Sequence, residues 1–367
     1  MRFSAPTSAL LDTASYAASV AATKSPKRIL EDVAIRATKA DGVVLEATDL
    51  DVAVRMTVRD AKVEEEGTVV ASAQRVVSVL REVSDPQATV VGRDGRIEVD
   101  TAGCHFRVNG DDPGEFPTLP KFPASGAFRV PCGVLRAMVR RTVFATAKEA
   151  GRFALHGVLL KVTKGLLELV GTDGRRLARA THLLATPDAK DVKVIVGAKA
   201  LGLLERLTAD DAAPVEVAVE ERQILFRVGG TVLASRLVDG AFPSYEEVIP
   251  KPGKRGVAVA AGALATALRR ASLLTTKEAA SVQMDFSLKK LTVSSRAADV
   301  GEARVELEVP YDDSPERLGF NPSFLLDALK VMDPARDVRF EFQNGKSPGR
   351  LTDGEEYVYV VMPVSVE

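Results

Sequence analysis

The chain has no tryptophan, and aromatic residues make up only 5% of it, so it lacks the stacking platforms of a protein that grips single-stranded nucleic acid by its bases. Charge of one sign is equally scarce. The 49 basic residues face 50 acidic ones, and a net charge of −1 supplies no whole-chain attraction to a polyanion. Any nucleic-acid surface must therefore be local. Two cysteines, Cys104 and Cys132, exclude a disulfide framework, suit a reducing compartment and have no metal-ligand spacing. His105, His156 and His182 are scattered over strand-like segments with no nucleophile or second ligand beside them. The "GTDG" that starts at Gly171 lacks the Gly-Lys-Ser/Thr of a phosphate loop. Apolar runs such as "YVYVVMPV" fall short of the roughly 20 residues of a membrane span. The opening "MRFSAPTSALL" has no signal-peptide pattern, and a cytoplasmic location is expected. Neither an enzyme, nor a cofactor, nor a metal site is expected from these residues.

What the chain has is repetition. A length of 367 residues exceeds one ordinary core. "RRTVFATAKEA" (Arg140 to Ala150) returns 129 positions later as "RRASLLTTKEA" (Arg269 to Ala279) and reads as two copies of one helix. Helical segments also begin at Ser72, Gly197 and Asn321, where a cap would sit, and end in one register on Arg81, Arg206 and Lys330. Between the helices the pattern alternates as in strands, with Thr48-Asp49 and Thr172-Asp173 at matching turns. Proline-bearing linkers "FPTLPK" and "FPSYEEVIPK" close the first two copies. The chain therefore reads as α+β, three similar domains over 1–124, 125–252 and 253–367, each with two helices and several short strands. Triplication of a β-rich scaffold that forms no ring is the plainest alternative.

The chain resembles the bacterial DNA polymerase III beta subunit family, the replicative sliding clamps, over its full length. The resemblance rests on "TDLDVAVR", "GTDGRRLA", "FPSYEEVIPK" and "YVYVVMPV", in that order. It implies three DNA-clamp domains per chain and a head-to-tail homodimer closed into a ring of six domains around double-stranded DNA, without sequence specificity. Such a protein is a non-catalytic processivity factor. Its implied partners are the DNA polymerase III alpha subunit, the clamp loader complex, and other polymerases and repair factors carrying clamp-binding peptides with a glutamine and large apolar residues.

The resemblance also implies sites. A peptide pocket would comprise Leu155, Thr172, Gly174, Arg175, Arg176, Leu177, Pro243, Val248, Val360, Met362, Pro363 and Val364. Its leucine, valine and methionine suit an adaptable apolar cavity. Helices lining the hole would offer DNA-facing candidates Lys24, Arg75, Arg81, Arg136, Arg140, Arg141, Lys148, Lys199, Arg206, Arg269, Arg270, Lys277 and Lys330. The dimer seam would join the edge strand carrying Phe106 and Val108 to the segment of Asp299 and Glu302, with Leu273 and Leu274 as apolar partners. Asp299 and Glu302 would face Arg96 or Arg107. Two departures stand out. The tail ends Ser365-Val366-Glu367, where the family often ends in a basic and then a large apolar residue; Ala154 and Glu149 stand where relatives can carry an aromatic and a glutamine near the DNA and the pocket mouth, so the DNA contact made there is not expected. A three-domain peptide adaptor that forms no ring shares the pocket and differs at the seam.

Overall fold

The computed structural model describes residues 1–101, 103–148, 153–185, 190–208, 214–253, 255–276 and 281–365. Glu149, Lys277, Val366 and Glu367 lie outside the described residues.

Six α-helices stand among the described residues: α1 (Thr7–Val20), α2 (Ala73–Glu82), α3 (Cys132–Val143), α4 (Ala198–Leu207), α5 (Ala261–Ala271) and α6 (Pro322–Leu329). Each turns one apolar stripe inward. In α2 the buried residues are Ala73, Val76, Val77 and Leu80, the i, i+3, i+4, i+7 spacing of a helix seated on a sheet, which leaves Arg75 and Arg81 exposed. Among the expected caps, the Asn321 side chain accepts from the Ser323 N–H at 3.0 Å, and Pro322 behind it fits the first helical turn. Ser72 occupies its cap position without a side-chain bond.

The two matching "RR…KEA" segments are not helices throughout, as the sequence suggested. Helix α3 ends at Val143 and α5 at Ala271, so the repeated arginines close helices and the described residues that follow, up to Lys148 and Thr276, lie outside them. The threonine kept in both copies has a physical role there. Thr146 donates to the Val143 carbonyl at 2.9 Å, and Thr275 donates to the Ser272 carbonyl at 2.8 Å. Each hydroxyl satisfies a carbonyl in the turn that leaves the helix.

The three repeats fold into two compact units, one formed by Met1–Gly133 and Arg206–Leu237, the other by Val134–Glu205 and Val238–Glu367. Sheet pairing explains why the middle repeat is shared. In the first unit, within a 13-stranded sheet, the Val52–Thr57 strand pairs antiparallel with Thr231–Arg236. In the second, Arg176–Leu183 pairs with Tyr357–Val361, and an 8-stranded sheet runs from repeat two into repeat three. A 4-stranded sheet completes the second unit. Backbone hydrogen bonds thus cross the sequence boundaries.

One turn is built alike in both units. Leu50 N–H donates to the Thr48 hydroxyl at 2.9 Å, which donates to Val52 O at 2.8 Å. Gly174 N–H and Arg176 O stand in the same relation to Thr172, at 3.1 and 2.6 Å. The residue after Asp takes φ +78° at Leu50 and +88° at Gly174. Glycine adopts that angle freely, whereas leucine holds it at a cost of about 1 kcal/mol. Among the described residues, no helix is long and apolar enough to cross a membrane.

Candidate functional site

The second unit contains a cavity of about 420 Å3, within the range of peptide and small-ligand pockets. Its floor comes from alternate residues of paired strands. Leu177 faces Val360 across the register of Arg176–Leu183 with Tyr357–Val361, and both are buried. Leu155 adds a third apolar wall from the short 3-10 turn Phe153–Leu155. The Thr172 hydroxyl, engaged within its turn, gives the wall shape rather than a free donor.

The rim is apolar and open. Val248 is 48% exposed and Met362 41%, large hydrophobic surface that this unit does not cover. Gly174 lets the turn backbone come close, and the exposed Arg175 brings a cation. Arg175 also accepts through its carbonyl the Met362 N–H at 2.9 Å, which pins the departing C-terminal segment to the pocket edge.

Arg176 contributes differently from its neighbour. Its guanidinium, 7% exposed, donates to Asp173 at 3.0 Å, Asp327 at 2.7 Å and the Phe144 carbonyl at 2.9 Å, and lies over the Phe324 ring at 4.6 Å. Burial opposes the charge, but these partners hold the guanidinium firmly protonated, above its ordinary value. Arg176 shapes the pocket wall from behind.

The linker supplies the last wall. Pro243, Ser244, Tyr245 and Val248 all line the cavity, with Ala241 and Ala154 beside them. Tyr245 Oη donates to the buried Glu168 at 3.2 Å, and Lys161 and Arg179 pair with the same carboxylate. Burial, with Glu168 alongside, pushes the Tyr245 hydroxyl up to about 12, so it stays protonated and keeps donating. Ala241, Ser244 and Tyr245 were missed in the sequence, whereas Ala154 was expected only near the pocket mouth. An aromatic between Pro243 and Val248 was the available signal.

Of the expected pocket residues, Pro363 and Val364 do not line this cavity. Pro363, Val364 and Ser365 wall a neighbouring cleft, where Val364 N–H donates to the Gly319 carbonyl at 2.9 Å. The peptide plane beyond Met362 carries the chain out of the pocket, since proline cannot extend the ladder.

The expected DNA-facing cations divide. Lys24, Arg75, Arg81, Arg140, Lys148, Lys199, Arg206, Arg269, Arg270 and Lys330 are exposed, and Arg136 is half-buried. Arg140 pairs with Glu205 at 3.3 Å, and Arg206 lies 5.2 Å over the Tyr16 ring, which leaves both at the surface. Arg141 is a correction to the DNA-facing set. Its guanidinium pairs with the buried Asp353 at 2.5 Å and covers the Tyr357 ring at 5.1 Å, because two successive helical residues point about 100° apart.

The seam expectation also needs one correction. Along Cys104–Asp111 the described pairing is complete on the side of Arg96–Thr101, but on the other side reaches only Gly110 and Asp111. Gly301–Glu308 is likewise an edge, paired only with Lys290–Ala297 among the described residues. Leu273 is 74% exposed, Asp299 and Glu302 are exposed, and Phe106 and Leu274 are half-buried. Val108, however, turns its side chain into its own sheet opposite Ile97, where it is buried, and leaves only its backbone on the edge. Arg107 pairs with Glu98 of the adjacent strand at 2.9 Å. No cluster of three or more His, Cys, Asp or Glu among the described residues is placed to hold a metal.

Models of three domains of the DNA polymerase III beta subunit match in chain order: the N-terminal domain over residues 1–120, the central domain over 129–244 and the C-terminal domain over 246–365. The beta sliding clamp of Chlamydia muridarum is 30% identical over 343 residues, 93% of this chain and 92% of its own. That of Pseudomonas putida is 28% identical over 99% of this chain and 100% of its own. Among solved structures, the DNA polymerase III subunit beta of Pseudomonas aeruginosa superposes with a TM-score of 0.92 at 27% identity, covering 100% of both chains. The sliding clamp of Bacillus subtilis, 24% identical, shares the fold at a TM-score of 0.94 over 100% of both chains.

Proposed function

This chain belongs to the DNA polymerase III beta subunit family, and from that premise we propose how it works as a DNA sliding clamp: two copies close head to tail around duplex DNA and tether replication factors by short peptides. The observation that carries the tethering is the 420 Å3 apolar cavity, with buried Leu155, Leu177 and Val360 at its floor and exposed Val248 and Met362 at its mouth. Large apolar side chains of a peptide fill the floor, and Met362 adapts to their shape. The partners are the polymerase III alpha subunit, the clamp loader, and other polymerases and repair factors in the cytoplasm. The work is positional and needs no catalytic group.

Ring closure is supported by two strand edges without a partner strand among the described residues, Cys104–Asn109 in one unit and Gly301–Glu308 in the other. Antiparallel addition of one copy's edge to the other's would satisfy both rows of backbone groups. Domains at 1–124, 125–252 and 253–367 then alternate around the ring. Exposed Arg81, Arg206 and Lys330 recur at the ends of corresponding helices and offer an unspecific positive lining. A net charge of −1 suits sliding, since topology rather than strong phosphate bonds retains the DNA.

Fluorescence anisotropy with a labelled peptide carrying a glutamine and two large apolar residues tests the tether. Micromolar binding by the full chain, lost in Met362→Asp, is the expected result. Equal binding by wild type and variant would place the peptide elsewhere.

A further inference from the structure

The strand that carries the seam edge in the first unit is fastened to the next strand at one short junction. Along Cys104–Asp111, Gly110 and Asp111 pair with Ala71 and Val70, directly beyond the stretch that has no partner on that side among the described residues. The junction is tight, since a side chain on Gly110 would begin 2.1 Å from the Val70 carbonyl oxygen. Gly110 N–H also donates to the Gly95 carbonyl at 2.8 Å. A force that spreads this junction acts directly on the seam strand.

A buried carboxyl stands over it. Asp32 is paired with Ser72 and Asp111 with Val70, from opposite sides of the Gly67–Ser72 strand. Ser72 and Val70 are two apart, so all four side chains share one face and the two carboxyls meet over the strand between them. Asp32 is 2% exposed, its Oδ2 has no hydrogen-bond partner among the described residues, and the adjacent side chains of Ala34, Val70 and Phe116 have no donor to offer. Arg28 reaches Asp111 with Nε at 3.6 Å, and Glu31 accepts the Ser25 N–H at 2.8 Å. Glu46 of the next strand is taken by Arg36 and Arg55, and the charged residues of α1, α2 and Lys62–Glu65 are exposed. One exposed arginine is left to balance two carboxylates.

We infer that Asp32 is a pH sensor of ring closure: protonated it leaves the junction closed, and ionised it repels Asp111, spreads Gly110–Asp111 from Val70–Ala71 and unseats the edge that receives the second copy. The inference rests on the head-to-tail ring of the preceding reading. Burial, with Asp111 next, raises the Asp32 carboxyl to about 7. A raised folded value means that support for the closed junction is complete below about pH 4, declines as pH rises, and is gone above about pH 7.

Sedimentation equilibrium of the full-length chain at about pH 6 and about pH 8, at one ionic strength, reads the dimer dissociation constant. We expect a rise of about tenfold or more between the two in the wild type, and a change within about twofold in Asp32→Asn, whose amide is neutral throughout. Asp111→Asn removes the same repulsion from the other side and should shrink the rise. Amide exchange reads the junction without a dimer: at the higher pH Gly110 and Asp111 should exchange faster in the wild type than in Asp32→Asn, and at the lower pH nearly alike. A wild-type constant that does not move, a rise that persists in both variants, or exchange that matches between wild type and Asp32→Asn at the higher pH overturns the proposal and leaves the ring intact. Absence of dimers at both pH values removes the ring reading and this one together.

Discussion

Arg176 Nη1 donates to Asp327 Oδ2 at 2.7 Å, tying the turn that forms one wall of the pocket in repeat two to helix α6 of repeat three. The same guanidinium serves Asp173 and the Phe144 carbonyl, so removing it strands several acceptors at once.

Arg176→Ala is therefore expected to destabilise the chain by about 3 kcal/mol in denaturant unfolding, and to loosen the pocket wall enough to weaken peptide binding. Loss of binding without loss of stability would instead make Arg176 a direct peptide ligand.

Asp32 opens a strand in the first unit, is 2% exposed, and its Oδ2 has no hydrogen-bond partner among the described residues. Burial, then the hydrogen bond and charge of Asp111, push its carboxyl up to about 7 against the opposing charge of Arg28, with Glu31 adding to the rise. A raised folded value means the native state holds the proton between about pH 4 and pH 7, so stability falls as pH rises through that window. Asp32→Asn, which keeps the neutral form, should be more stable than wild type by about 1–3 kcal/mol at pH 8 and nearly equal to it at pH 4. Denaturant melts at both values check this, and a gap that is the same at both would refute the raised value of the Asp32 carboxyl.

The split among helix arginines gives opposite expectations for neighbours in sequence. Arg141→Ala should lower the melting temperature by several degrees through the loss of its pairing with buried Asp353, and leave DNA affinity unchanged within about twofold. Replacing exposed Arg81, Arg206 and Lys330 by glutamine should weaken DNA binding about tenfold at low salt and flatten its salt dependence, with stability altered by no more than about 1 kcal/mol. Calorimetry beside DNA binding at two salt concentrations separates the two roles, and a DNA defect in Arg141→Ala would reverse the assignment.

Leu273, 74% exposed on the segment after α5, is a large apolar residue with no cover within its own unit. Leu273→Asp with Leu274→Asp should yield monomers in sedimentation velocity with unchanged far-ultraviolet circular dichroism. A dimer that persists would move the seam away from this segment.

The repeats were legible because periodicity survives in residue types. Thr48 and Thr172 both mark turns, and Arg81, Arg206 and Lys330 keep their helix-end positions. Most of the cavity's lining was named by resemblance, and three of the four motifs that carried it contribute residues to that lining. What escaped was long-range partnership. Nothing near Arg141 in sequence announces Asp353, and the pair Arg140-Arg141 alone cannot say which member turns inward. Phe106 and Val108 share one face of a strand by alternation, but the burial of Val108 depends on Ile97 in the neighbouring strand. Tyr245 was passed over in a linker read as merely extended, although its hydroxyl fixes that linker to Glu168.

Ring closure is the claim on which sliding depends, and negative-stain electron microscopy of the purified full-length protein examines it directly. The account predicts flat, closed particles built from two chains, with a central opening wide enough for duplex DNA. Compact or elongated single-chain particles at the same concentration would contradict it and leave a peptide-binding adaptor.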